Sequence, residues 1–79
     1  MPIFEFFWYD ENLEHVAEHG VAPAEFEDIV GHPIGRETSR SSGRLIAFGY
    51  GNDGRKLACV YEMLNDASVL PITAYEVAE

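Results

Sequence analysis

Apolar positions repeat along this chain first with the period of a strand, then with that of a helix, then with that of a strand again. Residues Ile3–Tyr9, IFEFFWY, place Phe4, Phe6 and Trp8 on one face and Ile3, Glu5 and Phe7 on the other. Both faces are mostly apolar, which predicts an interior or near-interior strand; Pro2 sits at its start, where a missing N–H is tolerated. From Asp10 the spacing changes. Leu13, Val16 and Ala17 form an i, i+3, i+4 stripe, with Asp10 as the expected N-cap, Glu11 and Glu14 in the first turn, and Gly20 just past the end. A second helix is predicted from Pro23 at its first position to Gly31, burying Phe26, Ile29 and Val30. Ala22 is a poor cap, so tertiary contacts must hold that start or it frays.

The second half reads as strands. HPIGRETS, residues 32–39, suits a loop and a short strand. Arg44–Tyr50 and Arg55–Leu64 flank Gly51-Asn52-Asp53-Gly54, a tetrapeptide that tolerates φ > 0, and together predict a β-hairpin. After a turn at Asn65-Asp66-Ala67, Ser68–Val77 forms a last strand. Pro71 inside it cannot donate a ladder bond, so an edge or a bulge is expected there. The order strand, helix, helix, then three or four strands predicts an α+β domain, β-α-α-β-β-β(-β), with two helices on one face of a mostly antiparallel sheet. The 79 residues form one domain, 1–79, whose expected core includes Trp8, Leu13, Val16, Phe26, Ile29, Ile46, Phe48, Cys59, Tyr61 and Ile72.

Charge changes the picture more than composition does. The apolar fraction of 47% is that of a globular domain. The net charge is −9, yet no Lys or Arg precedes Arg36 or follows Lys56. Arg36, Arg40, Arg44, Arg55 and Lys56 thus all lie in or just before the hairpin. The overall charge disfavours non-specific binding to nucleic acid or to an anionic membrane. Cys59 has no second cysteine to pair with, which suits a reducing compartment. No apolar run approaches the length of a membrane span, and the start lacks the cationic segment of a signal peptide, so a cytoplasmic protein is expected.

The stretch WYDENLEHVAEHGV resembles the opening of BrnT-type toxins, small proteins of bacterial toxin–antitoxin pairs. The shared pattern runs through Trp8, Asp10, Glu11, Asn12, His19, Gly20, Val21, Glu25 and Val30. It continues through Arg44, Gly49, Gly54, Arg55, Leu57, Tyr61, Ile72, Thr73 and Ala74, so the resemblance covers nearly the whole chain. It implies a RelE-like fold, a metal-independent endoribonuclease acting on RNA without a cofactor, and a cognate antitoxin, itself a small DNA-binding protein, as partner. Two departures stand out. Tyr75 occupies a place where the family has Arg, and the basic C-terminal segment of the family has no counterpart beside Glu76. The alternative is a non-catalytic protein-interaction module on the same fold, binding RNA weakly at best.

RNA cleavage by the 2′-OH needs a base, an acid and cations for the phosphorane. Arg44 and Arg55 are the candidate catalytic cations, with Tyr61, Tyr75 and His19, and also Tyr50, as candidate proton carriers. Arg36, Arg40 and Lys56 are candidate RNA contacts, and Trp8 or a Tyr offers a ring on which a base could stack. If the cations form one face, Arg40 and Arg44 mark the open end of the hairpin and Arg55 and Lys56 its turn, on the order of 20 Å away. Each of these arginines serves equally well to keep an exposed strand soluble. His15 and His19 share a helical face, but the pattern supplies no third and fourth ligand for a metal. SRSSGR, residues 39–44, is either an anion-wrapping loop or a flexible hairpin end.

Overall fold

The computed structural model describes residues 4–78. Its elements are β1 (Glu5–Phe6), α1 (Asp10–Glu18), α2 (Pro23–Gly31), β2 (Gly35–Thr38), β3 (Leu45–Tyr50), β4 (Lys56–Met63) and β5 (Ser68–Glu76). They make an α+β fold in the expected order. One five-stranded sheet runs β1-β5-β4-β3-β2, antiparallel throughout except for β1, which pairs with β5 in parallel. Both helices pack on the same face, α1 over β5 and α2 over β3 and β4. No helix among the described residues is long and apolar enough to cross a membrane.

Alternation decides which side chains meet the helices. Leu45 and Ala47 of β3, Leu57, Cys59 and Tyr61 of β4, and Val69 and Ala74 of β5 join Val16, Val21, Phe26, Ile29 and Val30 in or against one core. Phe26 is its centre, fully buried, with edge-to-face contacts to Phe6 at 6.5 Å and to Trp8 at 5.4 Å. Gly49 lets α2 approach β3 closely, since a Cβ there would lie 3.0 Å from two carbons of Ile29. Gly20 takes φ 72° just beyond α1, a conformation that L side chains rarely adopt, and so turns the chain into α2.

The first strand is shorter than expected and sits at the sheet edge, not in its interior. Pro71 is the reason. Phe7 N–H donates to Val69 O at 3.0 Å, so the next rung would need an N–H from residue 71. Proline has none. The buried Asn12 side chain takes over. Its Nδ2 donates to Phe7 O and to Pro71 O, each at 3.0 Å, while its Oδ1 accepts the Tyr9 N–H at 2.7 Å. The same contacts make Tyr9, not Asp10, the N-cap of α1. On the other side of β5 the register slips between Val60 and Tyr61, opposite Pro71, so the expected bulge is present as well.

Four expected core residues lie elsewhere. Leu13 is 36% exposed on the outer side of α1. Ile46, Phe48 and Ile72 are only half-buried; Ile46 and Phe48 alternate with the core residues of β3 and so lie on the far side of the sheet. The poor cap at Ala22 is compensated from Glu25, whose Oε1 accepts the Ala22 N–H at 3.0 Å and whose Oε2 accepts the Asn52 N–H at 2.7 Å. One carboxylate thereby fixes the start of α2 to the hairpin turn.

Candidate functional site

The cations of the hairpin do not form one face. Arg55 is turned to the helix side, where its Nη1 donates to His19 O at 3.2 Å and its Nη2 to Gly20 O at 3.1 Å. Its Nε donates to Asp53 Oδ2, and Glu76 Oε1 lies 3.7 Å from Nη1. These bonds hold Asp53 below the usual carboxylate range, led by its hydrogen bond from the Arg55 backbone N–H. Arg55 is therefore a latch between the α1–α2 connection, the hairpin turn and the end of β5. Arg44 lies at the other end of the hairpin and pairs with Glu62 at 2.9 Å. Lys56 stands with its Nζ 5.9 Å from the centre of the Phe48 ring. Arg36 and Arg40 are exposed, with no ion-pair or hydrogen-bond partner among the described residues.

The other expected site residues are scattered too. Trp8 is half-buried, packs edge-to-face on Phe26 and donates its Nε1–H to Glu27 at 2.8 Å. His19 is the exposed C-cap of α1. Tyr61 is buried, and burial raises its phenol above the ordinary value while the Arg36 charge opposes that rise. Tyr75 is 38% exposed on the face of the sheet away from the helices.

That face has no helix packed on it. Register places Phe48, Ala58 and Tyr75 in one row across it, and Ile46, Val60 and Thr73 in the next. Tyr50 and Lys56 border the rows at one end, and Arg44, Glu62 and Leu70 at the other. Over β3, β4 and β5 the two rows carry no charge; on β2 the first ends in Gly35 and the second in the exposed Glu37. Ala58, between Phe48 and Tyr75 in register, is fully buried, and Ile46, Phe48, Val60 and Leu70 are half-buried.

Two of the hollows beside the sheet are lined in part by expected site residues. One, of about 370 Å³, joins Tyr9, Glu11, Asn12 and His15 of the α1 start to Arg44, Leu70, Pro71 and Ile72. It brings an imidazole, a phenol, a carboxylate and a guanidinium to one place. Tyr9 and Glu11 are not among the expected site residues, and His15 is expected only beside His19 as a metal ligand; the i, i+4 spacing of Glu11 and His15 is the signal that puts them on one helix face. The second, of about 510 Å³, lies on the helix side between the end of α2 and the β4–β5 turn. Among the described residues, no three His, Cys, Asp or Glu side chains converge as a metal site requires. No family model, no curated protein and no solved structure matches the chain.

Proposed function

We propose that this chain is the toxin-fold member of a toxin–antitoxin pair in the bacterial cytoplasm, and that it works by holding a partner protein on the open face of its sheet. The observation that carries this reading is the set of uncharged residues Ile46, Phe48, Ala58, Val60, Thr73 and Tyr75 in the middle of that face, left without a covering helix, whereas the opposite face carries both helices and the core. A net charge of −9 favours encounter with a cationic partner, and the small DNA-binding antitoxin implied by the resemblance is of that kind. The engagement of Arg44, Arg55 and Lys56 within the fold points the same way, because RNA affinity rests on cations free to meet phosphate.

The test is a titration of the purified chain with the protein encoded beside its gene. Binding is expected to survive moderate salt and to weaken by at least about tenfold for Val60→Lys, at the centre of the face. Unchanged affinity for Val60→Lys in a folded variant would refute the assignment of the face. A second reading, the metal-independent endoribonuclease, is favoured by the hollow of Tyr9, Glu11, His15 and Arg44, which unites proton carriers with a cation. It requires that expression of the chain alone slows growth, and that His15→Ala with Arg44→Ala relieves it. Arg55 is unsuited to that test, since its loss loosens the fold itself.

A further inference from the structure

The helix layer stops before the end of the sheet. α2 ends at Gly31, and the row Leu45, Tyr61 and Met63 beyond it floors the cleft of about 510 Å³. Val30 and Phe4 complete the apolar lining. Arg36 reaches it from β2, paired in register with the core residue Ala47, and Asn65 and Asp66 face it from the β4–β5 turn. The volume falls within the range of small-molecule sites, about 300–1,000 Å³. Its charged groups are of both signs and idle. Neither Arg36 nor Asp66 has an ion-pair or hydrogen-bond partner among the described residues, and they do not pair with each other. Tyr61 is buried, and its hydroxyl has no hydrogen-bond partner among the described residues. Tyr61 is itself one of the residues that line the cleft.

We propose that this cleft binds a free α-amino acid with an apolar side chain. The carboxylate meets Arg36, the ammonium meets Asp66, and the side chain lies on Leu45, Met63, Val30 and Phe4, with the Tyr61 hydroxyl as a further hydrogen-bonding group. A plain organic anion would be repelled by Asp66, and a plain amine by Arg36; a zwitterion uses both. The site is separate from the open face, on the opposite side of the sheet, so neither proposal depends on the other.

The experiment follows backbone amide resonances of the full chain by NMR while L-phenylalanine, L-leucine, 3-phenylpropanoate and phenethylamine are added in turn. The two amino acids are expected to give saturable shifts at Gly31, Arg36, Tyr61, Asn65 and Asp66. The single-charge analogues should bind at least about tenfold more weakly. Arg36→Gln should weaken amino-acid binding by about tenfold or more, and Asp66→Asn should abolish the preference over 3-phenylpropanoate. Both side chains are exposed, so these variants keep the fold. Absence of saturable shifts up to about 20 mM, equal binding of 3-phenylpropanoate, or shifts confined to the open face would each overturn the proposal.

Discussion

Replacing Asn12 should cost far more than its polar character suggests. Its amide serves three backbone groups that Pro71 and the end of β1 leave without ladder partners: Phe7 O, Pro71 O and Tyr9 N–H. The residue is only 7% exposed, so water replaces it poorly. A net hydrogen bond is worth about 1 kcal/mol, and an orphaned buried group costs about 1–3 kcal/mol. Asn12→Ala is then expected to remove about 2–4 kcal/mol, out of a total of about 4–12 kcal/mol for a domain of this size. Asn12→Asp sharpens the expectation. Its carboxylate can still accept the Tyr9 N–H, but it turns an anion toward two carbonyl oxygens. Its folded-state pKa must rise, so its penalty relative to the parent chain grows as pH rises above about 4 and shrinks below that value. Urea unfolding followed by Trp8 fluorescence, for the parent and both variants at several pH values, measures this directly. A loss below about 0.5 kcal/mol for Asn12→Ala, or a pH-independent difference for Asn12→Asp, would refute the bridging role.

Other expected outcomes follow from the same packing. Phe26→Ala removes a fully buried ring that touches Phe6 and Trp8, and should cost about 3–5 kcal/mol in urea unfolding. Arg55→Lys keeps the charge but not the fork that reaches His19 O and Gly20 O; a loss of about 1–2 kcal/mol is expected, with faster amide exchange at the α1–α2 connection. Burial pushes the Cys59 thiol from an ordinary value of 9.0 to about 12, with Glu25 adding to the rise. The unfolded chain releases that proton first, so above about pH 9 stability should fall by about 1.4 kcal/mol per pH unit from this group, and Cys59→Ala should flatten that slope by one proton. Equal slopes for the two proteins would show that Cys59 is not the source.

The fold was legible because its signals are local. The stripe Phe26, Ile29 and Val30, the Gly-Asn-Asp-Gly turn and the glycine after α1 each act within a few residues, and the elements appear where those signals place them. The first strand was misjudged for a reason distant in the chain: its partner carries Pro71, 59 positions from the asparagine that replaces the missing rung. Phe48 and Ile46 were assigned to the core because an apolar strand position does not say which face a helix will cover. The candidate site was less legible than the fold. Tyr61 and Arg36 line one cleft and Arg44 another, while Arg55 donates to the Gly20 carbonyl and Trp8 to Glu27. Nothing in the spacing of the arginines distinguishes a latch from a ligand contact; that depends on which carbonyls the fold brings within reach.

The segregation of charge acquires a structural cause from these contacts. Both helices lie on one side of the sheet and carry carboxylates at Asp10, Glu11, Glu14, Glu18, Glu25, Glu27 and Asp28, most of them in solvent. A cation in that layer would pair locally and add little to stability. The hairpin has a different need, because its turn and its strand ends must be held to the helices and to β5. Arg55 does so at the α1–α2 connection and beside Glu76 of β5, while Arg44 ties the two strands of the hairpin together at its open end through Glu62 of β4. Lys56 covers the ring of Phe48. Placing the cations where strands are joined therefore secures the sheet and leaves the middle of its open face uncharged. An uncharged centre with polar ends is the anatomy of a protein-binding surface, whereas a phosphate-binding surface needs its cations unspent. Among the described residues the side chains of Arg36 and Arg40 have no ion pair, hydrogen bond or ring contact, and the cleft beneath Arg36 is where this unspent guanidinium shares a lining with Tyr61 and Asp66.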